Sequence, residues 1–387
     1  MDSNKFLELA KEISPWLSKV RRDFHMYPEL GMEEFRTQRK ICEYLDEFGV
    51  LYKKMAKTGV VGEIKGKDAV KTIALRADMD ALPILEKNDV SYRSKNHGVM
   101  HACGHDAHTT ILLGVAKILS EKKDELGVNV RFIFQPAEET VGGAEPMIEE
   151  GVLEGVDAIF GLHVSSLIDK GSVEYRYKQM NASSDRIEIE VQGRSAHGAY
   201  PGDGVDAIMI TAQLITAMQS IVSRIDARDS VVLTIGMIEG GTAPNIIADS
   251  VKLVGTLRTL DPKIRESVKE KLKILVDTLP VSMGGKGVLK VGKGYSPLIN
   301  DDKMVDLVRR SATDILGIEN VLEKEKANMG VEDFGYYLEK IPGVFFNLGV
   351  KNEKKGITAL AHNDCFDIDE DALHLGVAIQ ILNVLSV

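Results

Sequence analysis

Two apolar rhythms alternate along the chain. Trp16, Leu17, Val20 and Phe24 fall on one helical face, and Ser14-Pro15 ahead of them reads as an N-cap with proline at the first helical position. A second helical pattern runs over about residues 33–48 and stops at Gly49. Short β-rich runs follow at 60–64, 72–77, 130–135 and 158–162, with a helical stretch over about 109–120 between the second and third. Buried apolar strands separated by helices predict an α/β sheet covered on both faces.

From Arg186 the rhythm changes. Ile187-Glu188-Ile189-Glu190-Val191 alternates with period two, as a half-exposed strand does. A helix over 205–223, strands over 231–238 and 251–257, a helix over 262–279 and a strand near Val288-Leu289 complete the order β-α-β-β-α-β. That is the ferredoxin-like split arrangement, a domain of about 110 residues inserted into the α/β domain. The expected division is 1–182 with 296–387 as one domain and 183–295 as the insertion.

Length and composition agree with two globular domains. The chain has 387 residues, 44% hydrophobic and 27% charged, which excludes wholesale disorder. Lys plus Arg total 48 against 58 Asp plus Glu, a net charge of −10 with no long basic block, so nucleic acid is not an expected partner. The longest apolar stretch, 111–119, is interrupted by Lys117 and is far shorter than the ~20 residues that span a bilayer. No signal-peptide pattern opens the sequence, and three cysteines (Cys42, Cys103, Cys365) make no disulfide framework. A cytoplasmic protein without a membrane partner is the expectation.

The densest chemistry is Met100-His101-Ala102-Cys103-Gly104-His105-Asp106-Ala107-His108. Four of nine histidines, at 97, 101, 105 and 108, fall in this region. Imidazole and thiolate suit borderline-soft divalent metals, and Asp106 is a possible partner for a ligating histidine. A core cysteine among capping histidines is the plainer alternative. Phe132-Ile133-Phe134-Gln135-Pro136-Ala137-Glu138-Glu139 ends an apolar strand in two carboxylates, and Phe160-Gly161-Leu162-His163 ends another in a histidine. Sites in open α/β sheets form beyond such strand ends. His362 is a further candidate ligand from the C-terminal segment, and it and His163, each taken alone, read equally as structural histidines. Cys42 and Cys365 read as packing residues. No HExxH, GxSxG or phosphate-loop motif occurs; Gly193-Arg194-Ser195-Ala196-His197-Gly198 comes nearest to an elbow but lacks the required second glycine.

These residues resemble a family. Arg22-Asp23-Phe24-His25-Met26-Tyr27-Pro28-Glu29-Leu30-Gly31, Arg76-Ala77-Asp78-Met79-Asp80-Ala81-Leu82-Pro83, the cysteine–histidine segment, Gln135 to Glu139, Gly193 to His197, Gly240-Gly241-Thr242-Ala243-Pro244-Asn245 and Gly330-Val331-Glu332-Asp333-Phe334 are similar to motifs of the M20 metallopeptidases. Their amidohydrolase branch holds indole-acetyl-amino-acid hydrolases, hippurate hydrolases and N-acyl-amino-acid deacylases. The resemblance implies a metallopeptidase-type α/β catalytic domain and an inserted lid and dimerisation domain. It implies two divalent metal ions (Zn, Mn, Ni or Co) on Cys103, His105, Glu139, His163 and His362, with Glu138 as general base. Asp80 falls where the wider superfamily keeps an acid beside a ligating histidine; that histidine's own position is Asp78 here, so the resemblance implies that this branch recruits Cys103 instead. His197 is implied as an oxyanion donor, and Asn245 and Arg258 as holders of the substrate carboxylate.

The implied reaction is metal-dependent hydrolysis of N-acyl-amino acids, with dipeptidase or carboxypeptidase action on short peptides as the alternative. A thiol redox protein would need a resolving cysteine near Cys103, and none is close in sequence. A homodimer through the inserted domain is expected, because a split sheet leaves an open edge.

Overall fold

A computed structural model describes residues 3–387, and the chain divides into two compact units. The first contains the residues up to Lys178, Ile299–Lys326 and Asp333–Val387; the second contains Gln179–Leu298 and Ala327–Glu332. Residues 327–332, which the sequence reading leaves with the catalytic halves, are tied to the second unit by backbone bonds. Asn328 N donates to Met180 O at 2.8 Å, and Ala182 N donates to Asn328 O at 3.0 Å.

The first unit is built on an eight-stranded sheet in the order Leu51–Met55, Gly59–Ile64, Asn129–Gln135, Thr72–Asp78, Ala158–Asp169, Gly343–Lys351, Val173–Tyr175, Val321–Glu323. Thr72–Asp78 runs parallel to both its neighbours, and Ala158–Asp169 runs parallel to Gly343–Lys351. Four consecutive central strands therefore end on the same edge, where a site is expected. Phe132, Phe134, Phe160 and Phe346 are fully buried in these strands, each contributing about 1.5–3 kcal/mol by leaving water. The helix His105–Ser120 is buried nearly all round, in contact with the sheet and with the apolar helix Leu373–Leu385. Its exception, Lys117, extends over the Trp16 and Phe48 rings at 5.7 and 5.0 Å, which is how one charge is tolerated in that run.

The helix expected at Ser14-Pro15 forms as Ser14–Met26, but its N-cap is Ile13 and no side chain caps it. The reason is a preceding helix, Ser3–Glu12, which leaves the Ser14 hydroxyl directed at Ala10 O, 3.5 Å away.

The second unit has strands in the order Lys286–Val291, Asp185–Gln192, Ser250–Thr259, Val231–Gly240, all antiparallel, with helices Ala207–Val222 and Pro262–Ser282. This is the ferredoxin-like order. Asp185–Gln192 alternates buried and exposed along its length, so the period-two pattern marks a sheet with one covered face. Asp206 and Asp261 cap the two helices through their carboxylates.

Candidate metal centre

Cys103 and His105 are presented by the entry to the buried helix His105–Ser120. Gly104 between them has φ +92°, and a Cβ there would lie 2.3 Å from Val164 Cγ2. Both conformation and space require glycine. The turn brings Cys103 Sγ to 3.4 Å from His163 Nε2. Donor atoms of Cys103, His105 and His163 lie within 4.8 Å of one another, as do those of Cys103, Glu139 and His362, and of His105, Glu138 and Glu139. All six residues are thus brought together, with Cys103 shared by two of the groups. His362 comes from a loop residue at φ +66°, anchored by its N–H to Ala102 O at 2.8 Å, and its Nε2 is 3.0 Å from Glu139 Oε1.

The imidazoles are oriented from behind. His105 Nδ1 donates to Asp80 O at 2.9 Å, with Asp80 Oδ1 at 3.2 Å, leaving Nε2 buried without a hydrogen-bond partner and 3.7 Å from Asp78 Oδ1. His163 Nδ1 donates to Val164 O at 2.6 Å, leaving Nε2 to face Cys103. Outer partners of this kind fix the tautomer in metal-binding histidines. Burial pushes the Cys103 thiol up, but His163 and His105 together outweigh this and hold it down to about 7. Hydrogen bonds to Cys103 and Glu139 push His362 up to about 10. A cation entering such a cluster takes the place of those protons.

Asp80 also accepts the N–H groups of Glu138 and Glu139 at 3.1 and 3.0 Å. It is Asp80, then, that supports the site, and the sequence-based pairing with Asp106 is corrected. Asp106 faces the other way, accepting from Arg21 Nε at 2.8 Å and His25 Nδ1 at 2.7 Å in a buried charged cluster. Successive residues at a helix start diverge by about 100°, so His105 and Asp106 cannot share a partner. The strand bearing His163 is corrected too, since it continues to Asp169. Thr72–Asp78 pairs with it only as far as Gly161, and beyond that point Val164 N donates to His108 Nε2 at 2.8 Å. His163 therefore stands where the neighbouring strand leaves, rather than where its own ends. Among the other histidines of the dense region, His97 is exposed and His101 is buried beside His25. Cys42 is buried as expected, but Cys365 is exposed, as are Leu360 to Asn363 ahead of it in the same loop.

Sequence reading missed the support beneath the centre. His108 Nδ1 donates to Asp78 Oδ1 at 2.6 Å while its Nε2 accepts from Val164. Burial, with His163 and His105 nearby, outweighs Asp78 and holds the His108 pKa down to about 4. Burial opposes the Asp78 charge, but His105, His108 and Arg76 outweigh it and hold the carboxyl well below the usual range. Arg76 also donates to Gln135 at 2.8 Å and Asp333 at 2.7 Å. This network joins Arg76, Asp78, Gln135 and Asp333, residues from three of the quoted motifs. The signal available was His105-x-x-His108, a spacing that puts both rings on one helical face.

In the second unit, His197 is exposed and its Nδ1 accepts from Ala199 N at 3.1 Å, which leaves Nε2 as the donor. Asn245 is next to it, with Gly198 N donating to Asn245 O at 2.8 Å. Arg258 is half-buried and donates to Met329 O at 2.7 Å.

The donor set of thiolate, imidazoles and carboxylates, with the Nε2 of His105 buried and without a hydrogen-bond partner, fits divalent metal. No helix among the described residues is long and apolar enough to cross a membrane. The family model described as peptidase family M20/M25/M40 matches residues 74–382. N-acetyl-L-cysteine deacetylase of Bacillus subtilis is 41% identical over 380 residues, covering 96% of this chain and 89% of that protein. Thermostable carboxypeptidase 2 of Saccharolobus solfataricus is 40% identical over 379 residues, covering 96% of this chain and 95% of the other. The crystal structure of the Bacillus subtilis YXEP protein, described as a dinuclear metal binding peptidase from the M20 family, matches with a TM-score of 0.86 at 33% identity, covering 97% of this chain and 98% of that one. The chain belongs to peptidase family M20 and is a metal-binding hydrolase of amide or peptide C–N bonds.

Proposed function

We propose that the enzyme deacylates N-acyl-amino acids at a centre of two divalent ions held by Cys103, His105, Glu139, His163 and His362. The observation that carries this reading is the placement of Glu138 against His105 and Glu139, with donor atoms within 4.8 Å. One carboxylate of the pair is available for protons while the other serves the metal. Divalent ions held by these residues would supply Lewis acidity, making the attacking water more acidic and the acyl carbonyl more electrophilic. Glu138 takes the water's proton as the acyl carbon is attacked, and returns it to the departing amine. The C–N bond breaks, leaving a carboxylate and a free amino acid. His197, with its hydrogen on Nε2, supplies a donor to the tetrahedral oxyanion. Asn245 and Arg258 hold the substrate carboxylate.

Similarity to the deacetylase supports the N-acyl reading, and similarity to the carboxypeptidase supports short peptides as the second. Purified enzyme loaded in turn with Zn, Mn, Co and Ni is tested on N-acetyl- and N-benzoyl-amino acids beside dipeptides, reading released amino acid. A kcat/KM for dipeptides above that for every N-acyl substrate would reverse the order of the two readings.

The second unit is proposed to join two subunits. Its strand Val231–Gly240 ends the sheet, with Met237 and Ile238 about two-thirds exposed (65% and 62%), an open edge of the kind that pairs across a two-fold axis. In this proposal His197 serves the partner's centre. His197→Ala and Glu138→Gln, each inactive alone, are then expected to recover roughly a quarter of wild-type activity when unfolded and refolded together, since each mixed dimer regains one intact site. Mixed dimers seen by mass but without activity would show that His197 does not act across subunits.

A further inference from the structure

Glu29 and Glu34 both precede the helix Phe35–Glu47, yet they do different work. Glu29 caps the helix, accepting from Arg36 N at 2.9 Å and Thr37 N at 2.8 Å. Glu34 stands immediately before the first helical residue and makes no cap bond. Its side chain is fully buried and reaches instead into the turn that follows the strand Asn129–Gln135. There Glu34 Oε1 accepts from Ala137 N at 2.8 Å, while Oε2 accepts the Thr58 hydroxyl at 2.6 Å.

Ala137 has φ +55°, the left-handed region that a Cβ disfavours. Its conformation sets the direction of the next two peptides, whose N–H groups reach the two oxygens of Asp80 at 3.1 and 3.0 Å. Three consecutive amides, 137 to 139, are therefore gripped by two buried carboxylates. The loop that carries Glu34 is seated directly on this turn. At Gly31, a Cβ would lie 3.0 Å from Ala137 Cα and 2.3 Å from Thr140 Oγ1. Burial, the first cause, keeps the Glu34 carboxyl above its ordinary value, as expected of a group shielded from water.

We propose that Glu34 is a positioning residue for the hydrolytic centre: by holding Ala137 in its left-handed conformation, it aims Glu138 at the reacting water and Glu139 at the metal. Glu34 touches neither substrate nor metal. Without it, the Ala137 N–H loses its buried acceptor and the residue relaxes toward negative φ, which rotates the peptide that carries both carboxylates. Displacements of about 1 Å in a catalytic group cost on the order of 10²-fold in rate. The inference rests on the reading of Glu138 as base and Glu139 as ligand.

The test is a double-mutant cycle between Glu34 and Ala137, because glycine enters the left-handed region without a Cβ penalty. Glu34→Ala is expected to lower kcat by about 30–100-fold and metal affinity, read by chelator competition, by about 10-fold, with KM changed less than about 3-fold. In the Ala137→Gly background the same substitution should lose less than about 5-fold. Glu34→Gln, which keeps an acceptor for Ala137 N, should retain kcat within about 5-fold. Where Glu34→Ala does not fold, Glu34→Asp, one methylene short of the turn, should lose about 10-fold and be rescued by Ala137→Gly in the same way. An equal loss in both backgrounds, or wild-type kcat and metal affinity in Glu34→Ala, overturns the proposal. Glu138→Gln run beside these separates the two readings. If it is inactive while Glu34→Ala is normal, only the role of Glu34 falls; if it is active, the reading of the centre falls with it.

Discussion

Glu138→Gln is expected to bind metal as the wild type does and to lose hydrolysis at the upper end of the about 10²–10⁴-fold range of general-base contributions. The turn that presents this side chain is fixed by main-chain bonds, Glu138 N and Glu139 N to Asp80, and these survive the substitution. Glutamine fills the same space in a position only 6% exposed, so packing is preserved. What is lost is the capacity to take a proton, and one group that serves as base and then acid affects both halves of the reaction. Glu139→Gln gives the contrasting result. A neutral amide is a weaker ligand than a carboxylate, so metal content falls first and activity follows it. Elemental analysis beside kcat distinguishes the two variants. A fully metallated Glu138→Gln with near-normal kcat would remove Glu138 from the mechanism.

What could be read from the chain was periodicity and the kind of ligand; what could not was direction. The alternation at 187–191 and the helix–strand order after it give the ferredoxin-like unit, because a sheet with one covered face must alternate. Glu138 and Glu139 lie just beyond the end of the strand Asn129–Gln135, at the common edge of the parallel strands where sites form. Asp106 misled because adjacency in sequence is not adjacency on a helix. His163 misled because a strand's end and the end of its pairing with one neighbour are different events, and only the second is set by another segment, Thr72–Asp78. Glu34 carried no local signal: it falls inside the helical pattern read over about 33–48, and its partner is 103 positions away. Residues 327–332 belong with the second unit through backbone bonds to Met180 and Ala182, contacts that composition does not encode.

Asp80→Asn is expected to destabilise the metal-free protein more than Asp80→Ala, although asparagine is the closer shape. Asp80 is 1% exposed, and the groups hydrogen-bonded to its carboxylate are donors: Glu138 N at 3.1 Å, Glu139 N at 3.0 Å and His105 Nδ1 at 3.2 Å. An ionised carboxylate is acceptor-only and satisfies them all; an asparagine must turn its NH₂ toward at least one N–H. That leaves opposed donors in a buried place, a cost of about 1–3 kcal/mol in the stability of the metal-free protein. Alanine leaves space in which water can meet the same donors. Either change loosens His105, which retains its bond to the Asp80 main-chain oxygen at 2.9 Å, and frees the turn bearing Glu138 and Glu139. Metal affinity should therefore fall by about 10–100-fold in both variants, as it does when outer partners of metal ligands are removed. Chelator competition measures the affinity, and thermal melting of the stripped proteins measures the stability. The ordering is the sharp part: Asp80→Asn should melt below Asp80→Ala. If Asp80→Asn instead melts with the wild type and binds metal as tightly, the carboxylate is not what holds the turn and the histidine together.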